Sequence, residues 1–417
     1  MTASRGLARR VGAGRIAMLR WLAALTMIFL LAACTLPRLE APSGEASEAV
    51  EVLGIPNARF WVDRSVDALL EETIRQAKRE AALAPAGADG RCPPANFLAI
   101  SGGGDDGAFG AGLLVGWTAA GTRPQFQVVT GISTGALTAP FAFLGPDYDP
   151  QLREVFTSVM PPDILLLRRI ASALLFGEAL ADTAPLYRLI SSHANQQMLA
   201  AIAGEYNKGR LLLIGTTNLD LQRPVLWNIG AIAASGHPDA LTLFRQILLA
   251  SAAIPGAFPP VMIDVEVAGR KYQEMHVDGG AASQVFLYPP ALELDRRLRE
   301  AGLQRERVAY VIRNARMDPE WASTERRLLR IASRSVSTMI HFSGLNDVVR
   351  IYQTARRDGV QFRLACIGAD FQEEHRESFD PTYMRALFNY GFEQARNGYP
   401  WRLAPPGFPG GGDRAGP

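Results

Sequence analysis

Apolar and polar positions along the chain alternate between short strand-like runs and longer stretches of helical spacing. Phe97 to Ile100 reads as a buried strand, Ala108 to Ala120 as a helix, and Phe126 to Thr130 as a second strand. Ser133 to Leu144 follows as a helix, with Pro140 expected to bend it or shift its start. Strands are predicted at Leu211 to Thr217 and Pro224 to Asn228, with a turn at Leu219 to Arg223 between them. Leu241 to Ala252 reads as a helix, and Glu274 to Val277 and Val308 to Ile312 as strands. Glu325 to Ile340 and Asp347 to Arg357 read as two helices, and Val360 to Ile367 as a late strand. This alternation predicts an α/β fold with a mostly parallel sheet and helices on both faces. Ser65 to Ala82 has helical spacing with mixed charge and is expected outside the main core, and Ala84 to Pro94 is a boundary loop. The tail PPGFPGGGDRAGP offers little to bury and is expected to be disordered.

The first 33 residues follow a different pattern. Arg5, Arg9, Arg10, Arg15 and Arg20 occur without any Asp or Glu, and the run WLAALTMIFLLAA comes after them. That run is short for a bilayer span and suits a secretion signal. Its exit, Leu31-Ala32-Ala33-Cys34, resembles the lipobox of bacterial lipoproteins, which implies a diacylglyceryl group on Cys34. Thr35 stands where Asp would imply retention in the inner membrane, so the expected location is the outer membrane, facing the periplasm. Residues 35 to about 56 read as a tether rich in Ala, Pro, Ser and Glu.

Composition adds limits. The chain has 417 residues, 48% hydrophobic, and a net charge of +2, enough to bury a large core. No basic block recurs along its body, which speaks against nucleic-acid binding. An oxidising compartment permits a bridge between Cys92 and Cys366, and two separate thiols fit equally well.

The candidate chemistry lies in three places. Gly131-Ile132-Ser133-Thr134-Gly135 follows a strand and opens a helix, the setting of a nucleophile elbow, with Ser133 as nucleophile and Gly131 and Gly135 giving it room. A serine hydroxyl needs a base, and Asp278, followed by Gly279 and Gly280 at the end of a strand, is the best candidate. The loop SGGGDDGAFGAG supplies Gly102, Gly103 and Gly104, whose N–H groups suit an oxyanion, with Gly107 at the following helix. Asp105 and Asp106 are expected to turn away and cap or complement that helix. The same glycines satisfy a dinucleotide fingerprint, but the next strand ends without an acidic residue and the two carboxylates would face a pyrophosphate.

These motifs, together with ASAAIPGAFPPV (Ala250 to Val261) and TTNLDLQRPVLWNIG, resemble the patatin-like phospholipase family over about Ala95 to Leu287. The resemblance implies a three-layer α/β/α fold and lipid ester hydrolysis by a Ser133–Asp278 dyad without histidine. It further implies Gly102 to Gly104 as oxyanion donors. The family loop commonly has Arg or Lys where this sequence has Asp106. Phe258 and Pro259 are candidate walls of an acyl pocket. His276 shares a strand face with Asp278, and the order Ser133, Asp278, then His341 or His375 also fits a triad. The expected organisation is a signal peptide at 1–33 and a tether with a helical segment at 34–94. A catalytic domain follows at 95–290, then an α/β extension packed on the core at 291–404 and a tail at 405–417. The expected activity is a membrane-anchored serine lipid acyl hydrolase that needs neither cofactor nor metal. An esterase or thioesterase on smaller acyl groups, or a non-catalytic lipid- or partner-binding lipoprotein, is the alternative.

Overall fold

A computed structural model describes residues 37–83, 94–164 and 181–409, with isolated positions at 21, 166–167 and 179. The signal segment, Cys34 and Cys92 lie outside the described residues. Cys366 is buried with a free thiol. Among the described residues, no helix is long and apolar enough to cross a membrane.

One sheet of nine strands organises the molecule. In chain order these are β1 (Arg59–Trp61), β2 (Ala95–Ile100), β3 (Val128–Ile132), β4 (Leu211–Asn218), β5 (Arg223–Asn228), β6 (Val261–Val267), β7 (Arg270–Asp278), β8 (Arg307–Arg316) and β9 (Gln361–Ile367). Across the sheet the order is β1-β5-β4-β3-β2-β8-β9. The five strands from β4 to β9 run parallel, β5 lies antiparallel beside β4, and β1 lies antiparallel to β5. The β6–β7 hairpin joins only through the end of β7 on β4.

The parallel strands are apolar on both faces because helices cover both. Along β2, Leu98 and Ile100 enter the larger core cluster with Leu113 and Phe388, while Phe97 and Ala99 enter a second one with Leu70, Leu294 and Val348. The first face therefore carries the helices Gly107–Ala119 and Pro381–Arg396, and the second carries Val66–Leu83, Leu294–Glu300 and part of Leu328–Arg357. This is the three-layer α/β/α arrangement.

Several expectations need correction. The helix Val66–Leu83 lies in the core, with Leu69, Leu70 and Ala77 buried. Its buried Glu72 is held by Gln76 and by the Tyr206 hydroxyl, each at 2.7 Å. The two helices expected between 325 and 357 are one, Leu328–Arg357, because Gly344 gives space and does not break it: a methyl there would overlap the Arg313 guanidinium. Pro140 sits inside the helix Thr134–Leu144 without ending it. The helix Pro381–Arg396 is not among the predicted elements. It packs against Gly107–Ala119, where a side chain at Gly112 would overlap the Phe388 carbonyl. The segment after 290 does not pack on the core from outside, since β8 and β9 extend the same sheet beside β2. The tail begins ordered as well, with the Phe408 ring 5.1 Å from that of Tyr352.

Candidate active site

The sheet register brings the two expected reactive groups together. Strand β3 ends on β4 with Ile132 opposite Gly215, and β7 takes over the same edge of β4 with Asp278 opposite Thr216. Asp278 thus arrives at the carboxyl edge of the parallel strands from an antiparallel neighbour, directly beyond the residue that precedes Ser133.

Ser133 has φ 57° and ψ −127°, a conformation that side chains rarely adopt, and begins the helix Thr134–Leu144. Close packing holds it there. A side chain at Gly135 would overlap the Ile100 carbonyl, and one at Gly131 would overlap the Gly135 carbonyl. The Ser133 N–H donates to Ser251 Oγ at 3.0 Å, and Ser251 in turn donates to the Gly215 carbonyl at 2.6 Å. Ser251 belongs to the stretch ASAAIPGAFPPV, whose small residues invite only a packing interpretation.

Asp278 is 4% exposed. Burial raises its carboxyl to about 7, against the opposing pull of hydrogen bonds from the Ser133 hydroxyl and the Gly280 N–H. The Gly280 N–H meets Asp278 Oδ1 at 2.7 Å. Gly279 allows the close approach to β4, since a methyl there would stand 2.6 Å from the Gly215 carbonyl.

The glycine loop differs in one respect from its expected role. The Gly102 N–H donates to the Gln284 carbonyl at 3.0 Å and is therefore committed. Among the described residues, Gly103 and Gly104 have N–H groups without a partner. Gly107 leaves room for the Thr134 side chain. The loop is braced by Asn314 at the end of β8, a residue no local motif singles out. Its N–H donates to Ser101 Oγ at 2.8 Å, its Nδ2 to the Ser101 carbonyl at 2.9 Å, and its Oδ1 accepts the Gly110 N–H at 3.0 Å. Asn314→Ala removes both side-chain bonds to the loop and is expected to lower stability by about 2 kcal/mol in denaturant unfolding. An unchanged midpoint would remove the brace.

Asp105 and Asp106 do not cap the helix. Asp105 Oδ2 accepts the Phe379 N–H at 2.7 Å and stands 2.7 Å from His375 Nε2, and Asp106 Oδ1 accepts the Tyr383 hydroxyl at 2.6 Å. Both carboxylates therefore fasten the loop to the C-terminal segment. Enclosure raises the Asp106 carboxyl, with the Tyr383 bond opposing.

Gly104, Ser133, Leu137, Leu186, Phe258 and Phe379 share one largely apolar pocket, and Pro259 is not among its walls. His276 is fully buried, 2.9 Å from Thr216 Oγ1 and 3.1 Å from Glu274, which pairs with Arg59. It serves that network and does not meet Asp278. His375 pairs with Asp105, and His341 Nε2 is buried without a hydrogen-bond partner among the described residues, so neither is bonded to Asp278.

A family model described as patatin-like phospholipase matches residues 98–291. The chain carries a patatin-like phospholipase domain. No curated protein matches the chain. Among solved structures, it is similar to VipD from Legionella pneumophila at 11% identity and a TM-score of 0.30, over 75% of this chain and 69% of that one. It is also similar to human GIVD cytosolic phospholipase A2 at 11% identity and a TM-score of 0.28, over 68% of this chain and 51% of that one. The patatin-like domain contains Ser133, Asp278 and the glycine loop, while Asn314 and the segment bound by Asp105 and Asp106 lie beyond it.

Proposed function

We propose that this protein is a serine lipid acyl hydrolase of the bacterial cell envelope, tethered through an acylated Cys34. The observation that carries the reading is Ser133, held on a strained turn, against a buried Asp278 whose carboxyl is raised to about 7, where a general base works best near neutral pH. Ser133 Oγ attacks the ester carbonyl carbon while its proton passes to Asp278. The oxyanion is held by the N–H groups of Gly103 and Gly104. Collapse of this intermediate expels the alcohol, which takes the proton from Asp278, and leaves an acyl-serine. Asp278 then takes a proton from water as the water oxygen attacks the acyl-serine, and on collapse it passes that proton to the departing Ser133 oxygen, releasing the acid and free Ser133. The apolar pocket beside Ser133 suits an acyl chain.

A fluorophosphonate probe tests the nucleophile. Labelling of the wild type and none of Ser133→Ala is expected, and no labelling of either would favour a binding protein. A panel of phospholipids, lysophospholipids and short esters then fixes the substrate class. Release of fatty acid from the lipids is expected, and cleavage confined to short esters or thioesters would narrow the protein to a small-acyl esterase.

A further inference from the structure

The helix Leu328–Arg357 is longer than its place in the fold requires. Its 30 residues span about 45 Å, while the adjoining strands β8 and β9 have 10 and 7 residues, about 25–35 Å. It connects the carboxyl end of β8 to the amino end of parallel β9, so it runs against both. Its second half is packed, with Gly344, Val348, Ile351 and Ala355 buried. Gly344 lies against Arg313 near the end of β8, and Asp347 Oδ2 accepts the Gln284 N–H at 2.6 Å. Residues before 344 therefore rise beyond the carboxyl edge of the sheet, the edge that carries Ser133 and the glycine loop.

On this projecting half, helical spacing gathers Leu328, Leu329, Ile331, Val336, Met339 and Ile340 into one half of the circumference, with Arg330 and Arg334 opposite. All six apolar residues are exposed, from 42% at Ile340 to 82% at Leu328. Such a continuous apolar face marks an interaction surface. Arg326 and Arg327 stand just before the helix, and no Asp or Glu occurs from 326 to 346. Arg327 pairs with Glu325 at 3.3 Å, and Arg334 donates to the Glu320 carbonyl. An apolar arc with cations at its start and along the polar face, and no carboxylate within the helix's first half, fits an anionic lipid surface, which takes up the arc and attracts the arginines.

We propose that residues 328–342 form a docking helix that lies on an anionic phospholipid surface and turns the catalytic edge toward it. Its purpose rests on the hydrolase reading, but its measurement does not. In the full chain with Ser133→Ala, which keeps vesicles intact, Met339→Trp places a reporter in the apolar arc. Attachment through any other part of the chain leaves this reporter in water. Vesicles of phosphatidylglycerol with brominated acyl chains are expected to quench the added emission. Replacing all four arginines by Gln is expected to raise the vesicle concentration for half-maximal quenching by about tenfold or more.

No quenching by these vesicles would overturn the proposal. So would equal quenching by phosphatidylcholine that ignores the arginines, or a blue shift that follows protein concentration without lipid, the mark of a second copy. Quenching in this variant together with no ester cleavage by the wild type would remove the hydrolase reading and leave the docking helix. Ester cleavage without quenching would do the reverse.

Discussion

Asp278→Asn is expected to lower ester turnover by about a thousand- to ten-thousand-fold. The amide keeps the shape and can still bond to the Ser133 hydroxyl, but it cannot take its proton. With Asp278 intact, the base must be ionised to work, so kcat/KM should fall about tenfold per unit below pH 7, where burial has moved this carboxyl. The same shift has a folding consequence of opposite sense. The folded state holds this proton more tightly than the unfolded chain, so its contribution to stability is full at acid pH and is lost as pH rises toward 7. Asn mimics the protonated form. Unfolding at pH 5 and pH 8 should therefore show the variant gaining on the wild type with pH, by up to about 1.4 kcal/mol per unit inside that window. Full turnover in Asp278→Asn would rule out Asp278 as the base.

Gly103→Ala is expected to cost about a hundred- to a thousand-fold in turnover with little loss of bound substrate. An added methyl would overlap the Asn314 carbonyl and stand 2.8 Å from Asn314 Cβ, both in a strand that cannot yield. The loop must move instead, and with it the N–H groups aimed at the oxyanion. Gly104→Ala separates space from conformation. Nothing lies within 4 Å of a methyl there, and its φ of +60° costs an L-residue only about 1 kcal/mol. Steady-state kinetics on both variants, with melting curves to confirm folding, checks the contrast. Equal, small effects would mean that the loop holds no oxyanion.

What the sequence made legible follows from how local each feature is. Ser133 and Asp278 each sit in a contiguous motif whose spacing announces its turn, so both could be named without the fold. Which glycine N–H is free could not, because Gln284, nearly two hundred residues on, decides it. The bonds from Ser251 to Ser133 and from Asn314 to Ser101 span 118 and 213 residues. A local rule gives Asp105 and Asp106 to the helix start, as caps or complementary charges, whereas their hydrogen bonds go to partners more than 260 residues away. The continuity of the helix through Gly344 is equally non-local, since the neighbour that fills the glycine's space is Arg313.

Strand β8 pairs along the whole of β2, with Phe97 opposite Ala309 and Ile100 opposite Ile312. The stretch matched by the family model ends at 291, before that strand begins. A fragment cut there would keep Ser133 and Asp278 but expose β2 as an apolar edge, open to pairing with its own copies. The smallest portion of this chain that can be transplanted with its chemistry intact therefore runs on through Asn314 to the helix that ends at Arg396. Recombination within this lineage should leave that whole span uncut.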